Sequence, residues 1–247
     1  MRMKFDGKEL SDVIYDDLGV GNLFLLKYQP GSGGEFFLKQ FFSEKEETSN
    51  SIYITTNETP GDITRILSDN EMSDDGEIVD IHSLLEEQLE DVIKRDKFLE
   101  DGILVTDLLD LTSNEGGKDA REPLDMRIMA KITSKARKQI TPFRFVIDDL
   151  KDMVDICSEE ELKMRLMILK SSLRKNRGIG ILGTLHRDIE IGKIGSVFDG
   201  IIRMENRKEG DEIARFFIIE HLKNDLSVPK YMRIDEEGNI PRAVSIN

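Results

Sequence analysis

The chain has a single cysteine, Cys157, so no disulfide can close within it. Its three histidines, His82, His186 and His221, stand far apart and give no zinc-ligand spacing. Tryptophan is absent, and so is any run of about 18 apolar residues long enough to span a bilayer. The opening MRMKFDGKELSDV lacks the apolar centre of a secretion signal. These absences predict a soluble, cytoplasmic chain without membrane insertion. Positive charge is scarce too: 35 Lys and Arg face 49 Asp and Glu, a net charge of −14. Binding to nucleic-acid phosphate needs a basic surface, which makes nucleic acid a disfavoured partner. Abundant Lys and Glu without Trp point toward an archaeal or thermophilic source.

What is present centres on residues 23–42, LFLLKYQPGSGGEFFLKQFF. An apolar strand, 23–28, runs into Pro30, Gly31, Ser32, Gly33 and Gly34, and then into a helix, 36–42, with Phe37, Leu38, Phe41 and Phe42 as its apolar stripe. Strand, glycine loop and helix place backbone N–H groups where they can cradle phosphate. The Walker A rule is G-x-x-x-x-G-K-[ST]. With Gly33 as the second glycine, Tyr28 stands at the first, Gly34 at the lysine and Glu35 at the hydroxyl. The loop keeps the scaffold and loses the chemistry.

The remaining pattern alternates. Residues 1–22 read as an N-terminal lead-in, with Leu10, Val13, Ile14 and Leu18 at helical spacing. Residues 51–56 (SIYITT) are a β-branched strand, followed by a helix with Thr59 as N-cap, Pro60 in its first turn, and Ile63, Ile66 and Leu67 inward. A short strand at 78–81 and a helix over 84–98 follow. The stretch 103–111 is a strand or the start of an insertion; 113–122 is a loop and 123–140 a helix. Strand 143–147 delivers Asp148 and Asp149. Ser158 and Glu161 form a capping box opening a helix to about residue 176. Strand 178–184 ends at His186, and late strands at 201–204, 216–220 and 231–234 complete the chain. The pattern predicts an α/β fold: a mostly parallel sheet flanked by helices, with late antiparallel strands. Residues 23–247 form one domain, with a loop or insertion near 103–122. The stretches 31–35, 57–58, 148–149 and 184–186 all follow strands, where open α/β sheets bind ligands.

This order of motifs resembles the RecA-like ATPases, especially the KaiC-like branch common in archaea, over roughly residues 10–236. PGSG at 30–33, ITTNETPGDI at 54–63, VIDDL at 146–150, GILGTLHRD at 180–188 and FDGIIRM at 198–204 carry it. The resemblance implies a RecA-like P-loop NTPase core with Pro30, Gly31, Ser32, Gly33, Gly34 and Glu35 as a degenerate phosphate loop. It implies Asp148 as the Walker B carboxylate and magnesium ligand. Asn57 and Glu58 stand where the family orients the attacking water, and His186 where relatives read the γ-phosphate. Lys223 falls near basic residues that some relatives insert into a neighbour's site. Relatives assemble side by side, which implies a homo-oligomer or pairing with an intact paralogue.

Electrostatics bear on what the loop can hold. A carboxylate about 4 Å from phosphate is repelled by roughly 4 kcal/mol at a dielectric near 20. Glu35 instead suits a helix first turn, gaining about 0.3–1 kcal/mol from the macrodipole, and can act as a built-in phosphate substitute. On that reading, Gly34→Lys with Glu35→Thr restores nucleotide binding. Lys27 and Lys39 are candidate replacements for the missing lysine. The cluster Arg165, Lys170, Arg174, Lys175 and Arg177 reads as the solvated end of a helix. The expectation is a pseudo-ATPase acting as a regulatory or interaction module. The alternatives are a weak, magnesium-dependent ATP-binding protein or ATPase using Asp148 and Glu58, and a nucleic-acid-binding RecA relative.

Overall fold

A computed structural model of the chain describes residues 2–13, 18–44, 50–84, 86–87, 134, 143–156, 158–185, 194–223 and 229–237. The readings of 88–98, 103–111, 113–122 and, apart from residue 134, 123–140, together with Cys157 and His186, lie outside the described residues. The strands are β1 (Arg2–Phe5), β2 (Leu23–Tyr28), β3 (Asn50–Thr55), β4 (Glu77–Asp80), β5 (Phe143–Ile147), β6 (Ile179–Leu185), β7 (Gly200–Glu209), β8 (Glu212–Leu222) and β9 (Lys230–Glu237). The helices are α1 (Leu10–Asp12), α2 (Gly34–Ser43), α3 (Pro60–Asp69), α4 (Leu150–Ile156) and α5 (Glu159–Lys175).

The fold is α/β. Among the described residues, nine strands form one mixed sheet in the order β1-β9-β8-β7-β2-β6-β5-β3-β4. From β7 to β4 every pairing is parallel, and the late strands β7, β8 and β9 pair antiparallel. β2 and β5 read as almost unbroken apolar runs because helices cover both faces. On one face, Phe24, Leu26 and Tyr28 of β2 join Phe37, Leu38, Phe41 and Phe42 of α2. On the other, Leu23 and Leu25 join Leu162, Leu166, Leu169 and Leu173 of α5. No described helix is long and apolar enough to cross a membrane.

The lead-in segment is built into this sheet. β1 pairs antiparallel with β9, and Met3 and Phe5 are fully buried. Gln40 of α2 accepts from Met3 N–H at 2.8 Å and donates to Met3 C=O at 3.2 Å. Phe5 exchanges both of its backbone hydrogen bonds with Lys8, at 2.9 and 3.0 Å.

The basic cluster on α5 is not simply a solvated helix end. Lys170 is buried, and its Nζ lies 2.8 Å from Asp199 Oδ1, with side chains 11% and 6% exposed. Arg174 reaches the same oxygen at 3.0 Å, and Asp199 Oδ2 accepts from Leu23 N–H at 3.1 Å. FDGII therefore supplies a buried clamp at the amino end of β2, opposite the glycine loop.

Candidate functional site

Helix α2 starts where the sequence permits. Gly31 and Gly33 adopt φ of +75° and +89°, values that a residue with a Cβ rarely takes, and Gly33 serves as N-cap. The loop keeps its turn through Ser32 N–H to Gln29 C=O at 3.0 Å. Ser32 is buried, and its hydroxyl has no hydrogen-bond partner among the described residues.

The position of the absent lysine is physically closed. A Cβ on Gly34 would lie 2.2 Å from Tyr28 Cγ and 2.4 Å from Tyr28 Cβ. The Tyr28 ring, standing where the motif has its first glycine, fills the room beside residue 34. The two departures from Walker A thus fit each other. This corrects the expectation that Gly34→Lys with Glu35→Thr suffices to reopen the loop, because the ring remains in the way. Glu35 is exposed, and among the described residues its carboxylate makes none of the hydrogen bonds to the loop's N–H groups that a built-in phosphate would make.

The acidic positions are brought together at the carboxyl ends of β3 and β5. Asp148 is buried, and its Oδ1 accepts from Thr56 N–H and from Thr56 Oγ1–H, both at 2.9 Å. Asn57 Nδ2 donates to Thr56 Oγ1 at 3.1 Å, leaving the hydroxyl proton to point at Asp148. His82, just after β4, donates from Nε2 to Thr56 C=O at 3.0 Å. Glu58 has its backbone held by Thr55, whose hydroxyl accepts from Glu58 N–H at 3.0 Å and donates to Glu58 C=O at 2.8 Å. Its side chain meets Lys39 of α2, with Nζ 2.5 Å from Oε2 and the side chains 5% and 31% exposed.

Asp149 parts from its neighbour. Its Oδ1 accepts from Lys151 N–H at 2.8 Å and so caps α4, a helix the sequence reading lacked. Lys27 pairs in register with Thr184 and Arg203 and follows Leu23 and Leu25 on the sheet face away from α2. Of the two candidate lysines, only Lys39 reaches the site. Lys223 is exposed beyond β8.

Burial raises the Tyr28 phenol well above its usual value, and the carboxylates of Glu35, Asp149, Asp148 and Glu58 push it the same way. Tyr53, fully buried, is raised for the same reason, burial first and then the charges of Asp148 and Glu58. Burial likewise raises Asp148, opposed in part by the hydrogen bonds from Thr56 and by the charge of Lys39. A carboxyl whose folded value is raised contributes stability below its unfolded pKa and loses it as pH rises through the folded one. Asp148→Asn keeps an oxygen for Thr56 and removes the charge. It is expected to melt above the wild type near pH 7, with the gap closing toward about pH 4, as thermal melts at the two values would measure.

The described residues do not fit magnesium nucleotide. The lysine's place is filled by a ring, the hydroxyl's by an exposed carboxylate, and Glu58 already carries an ammonium. Among the described residues no group of three His, Cys, Asp or Glu could hold a metal ion. His82 joins this site without a sequence signal, whereas Lys39 meets Glu58 and not the phosphate loop that the sequence had it serve. The run FFLKQFF carries the signal for Lys39, since apolar residues on all sides leave the helix no wet face for it. No family model matches this chain, and no curated protein matches it significantly.

Proposed function

We propose that the chain is a RecA/KaiC-like domain whose nucleotide site has been filled in, a pseudo-ATPase that serves as a regulatory or interaction module. The observation that carries this reading is the Tyr28 ring packed on Gly34. A lost lysine alone would leave an empty loop, whereas a ring in its space is an alternative packing of that loop. Two further features support it. The glycine-loop strand β2 lies inside the sheet between β6 and β7, with the Asp148 strand β5 beyond β6. The carboxylates that hydrolysis would draw on are both engaged internally, Asp148 by Thr56 and Glu58 by Lys39. Such a module works through protein contacts, with a second copy or an intact paralogue as the partner.

Calorimetric titration with magnesium and ATP tests the reading. The expected result is no binding heat up to about millimolar ATP, an affinity no better than about −4 kcal/mol. Micromolar binding, or turnover that disappears in Asp148→Asn, would overturn it in favour of an unorthodox ATPase.

A further inference from the structure

Glu58 and Asp148 follow the carboxyl ends of the paired strands β3 and β5, and one cation rests against the first of them. Lys39 reaches that place from the second turn of α2, and its Nζ rests on Glu58 Oε2. A lysine so deeply buried holds its charge only against a carboxylate. Its field also extends to Asp148. The contacts at Asp148 Oδ1 come from Thr56, which donates twice. A magnesium ion needs near-octahedral oxygen ligands at about 2.0–2.1 Å and gives up its waters reluctantly. It cannot share Glu58 Oε2 with an ammonium already in contact.

We propose that the ammonium of Lys39 is the resident cation of this cleft, neutralising Glu58 beside Asp148 in place of a divalent metal and closing the cleft to Mg2+. The inference rests on the filled-site reading and deepens it: the loop has lost its lysine, and the helix behind it supplies a different one. That second lysine serves the carboxylates instead of a phosphate. It gives the half-buried Glu58 carboxylate a cation from within the fold, so no metal is needed to balance it.

Manganese provides the probe, since its free form is read directly by electron paramagnetic resonance. Lys39→Met leaves Glu58, beside Asp148, without its cation. It is expected to bind Mn2+ at least about tenfold more tightly than the wild type, and Lys39→Met with Glu58→Gln is expected to lose that gain. Equal Mn2+ affinity in wild type and Lys39→Met, whether both bind or neither does, would overturn the proposal. Should Lys39→Met fail to fold, the wild type decides by NMR. A slowly exchanging ammonium resonance, absent in Lys39→Arg and altered in Glu58→Gln, is expected, and its absence overturns the proposal. Nucleotide binding by the wild type with the Mn2+ difference intact would break the pseudo-ATPase reading alone. Equal Mn2+ affinities without nucleotide binding would break the resident-cation inference alone.

Discussion

Asp199→Ala is expected to lower the unfolding free energy by about 3–5 kcal/mol, the range for removing one partner of a buried ion pair. The loss arises chiefly from what stays behind. Lys170 remains buried with only the carbonyl of Val197 as acceptor, and Leu23 N–H loses its carboxylate. Leu23 opens β2, the strand that leads into the glycine loop, so the damage falls on the centre of the sheet. Asp199→Asn keeps an acceptor for Leu23 and should fall between alanine and the wild type. Urea unfolding of the three proteins measures the effect, and salt should change it little because the pair is sheltered from counter-ions. A loss below about 1 kcal/mol would place the clamp among exposed pairs of small worth and sink the argument.

The second large effect concerns Tyr28 and Gly34. Gly34→Lys alone forces a Cβ into the Tyr28 ring and is expected to cost about 1–3 kcal/mol or more, as overpacking does. Tyr28→Gly alone empties a buried aromatic site and is expected to cost about 3–5 kcal/mol. Together they should cost less than the sum, with a coupling of about 0.5–3 kcal/mol, because the lysine stem enters the space the ring vacates. A double-mutant cycle by chemical denaturation measures this, and strict additivity would mean that the two sites relax independently. The triple change that adds Glu35→Thr to this pair is the variant in which regained nucleotide binding is to be sought. The same gain without Tyr28→Gly would show the ring to be no barrier.

Much of the frame was legible because its signals are local. The strand before PGSGG, the N-cap Thr59 with Pro60 behind it and Ser158 before three glutamates all lie within a few residues of what they specify, and each holds in the structure. The late strands extend beyond 201–204, 216–220 and 231–234, since β7 and β8 continue as a polar ribbon whose residues are set by pairing with each other. β1 carries almost no local signal. RMKF offers two alternations of apolar and charged residues, too few to separate a strand from the helical spacing just behind it. The site divides similarly. The carboxylates follow strand ends and could be read from order alone. The ring on Gly34, the ammonium on Glu58 and the imidazole on Thr56 join residues from different strands and helices, and only the packed fold sets those distances. Lys170 lies in MILKSSL much as Lys39 lies in FFLKQFF, and in both cases a cation amid apolar neighbours marks a buried partner elsewhere in the chain.

The bonds between Gln40 and Met3, and between Phe5 and Lys8, bear on how this molecule keeps to itself. A terminal strand normally presents a row of open donors and acceptors on which another chain can nucleate. Along β1 the residues facing away from β9 are Met3 and Phe5. A side-chain amide takes both groups of the first, and the chain's own turn takes both groups of the second. Glutamine here impersonates a tenth strand. The sheet is thereby finished at that end, and a second molecule cannot zip onto it to begin a fibril.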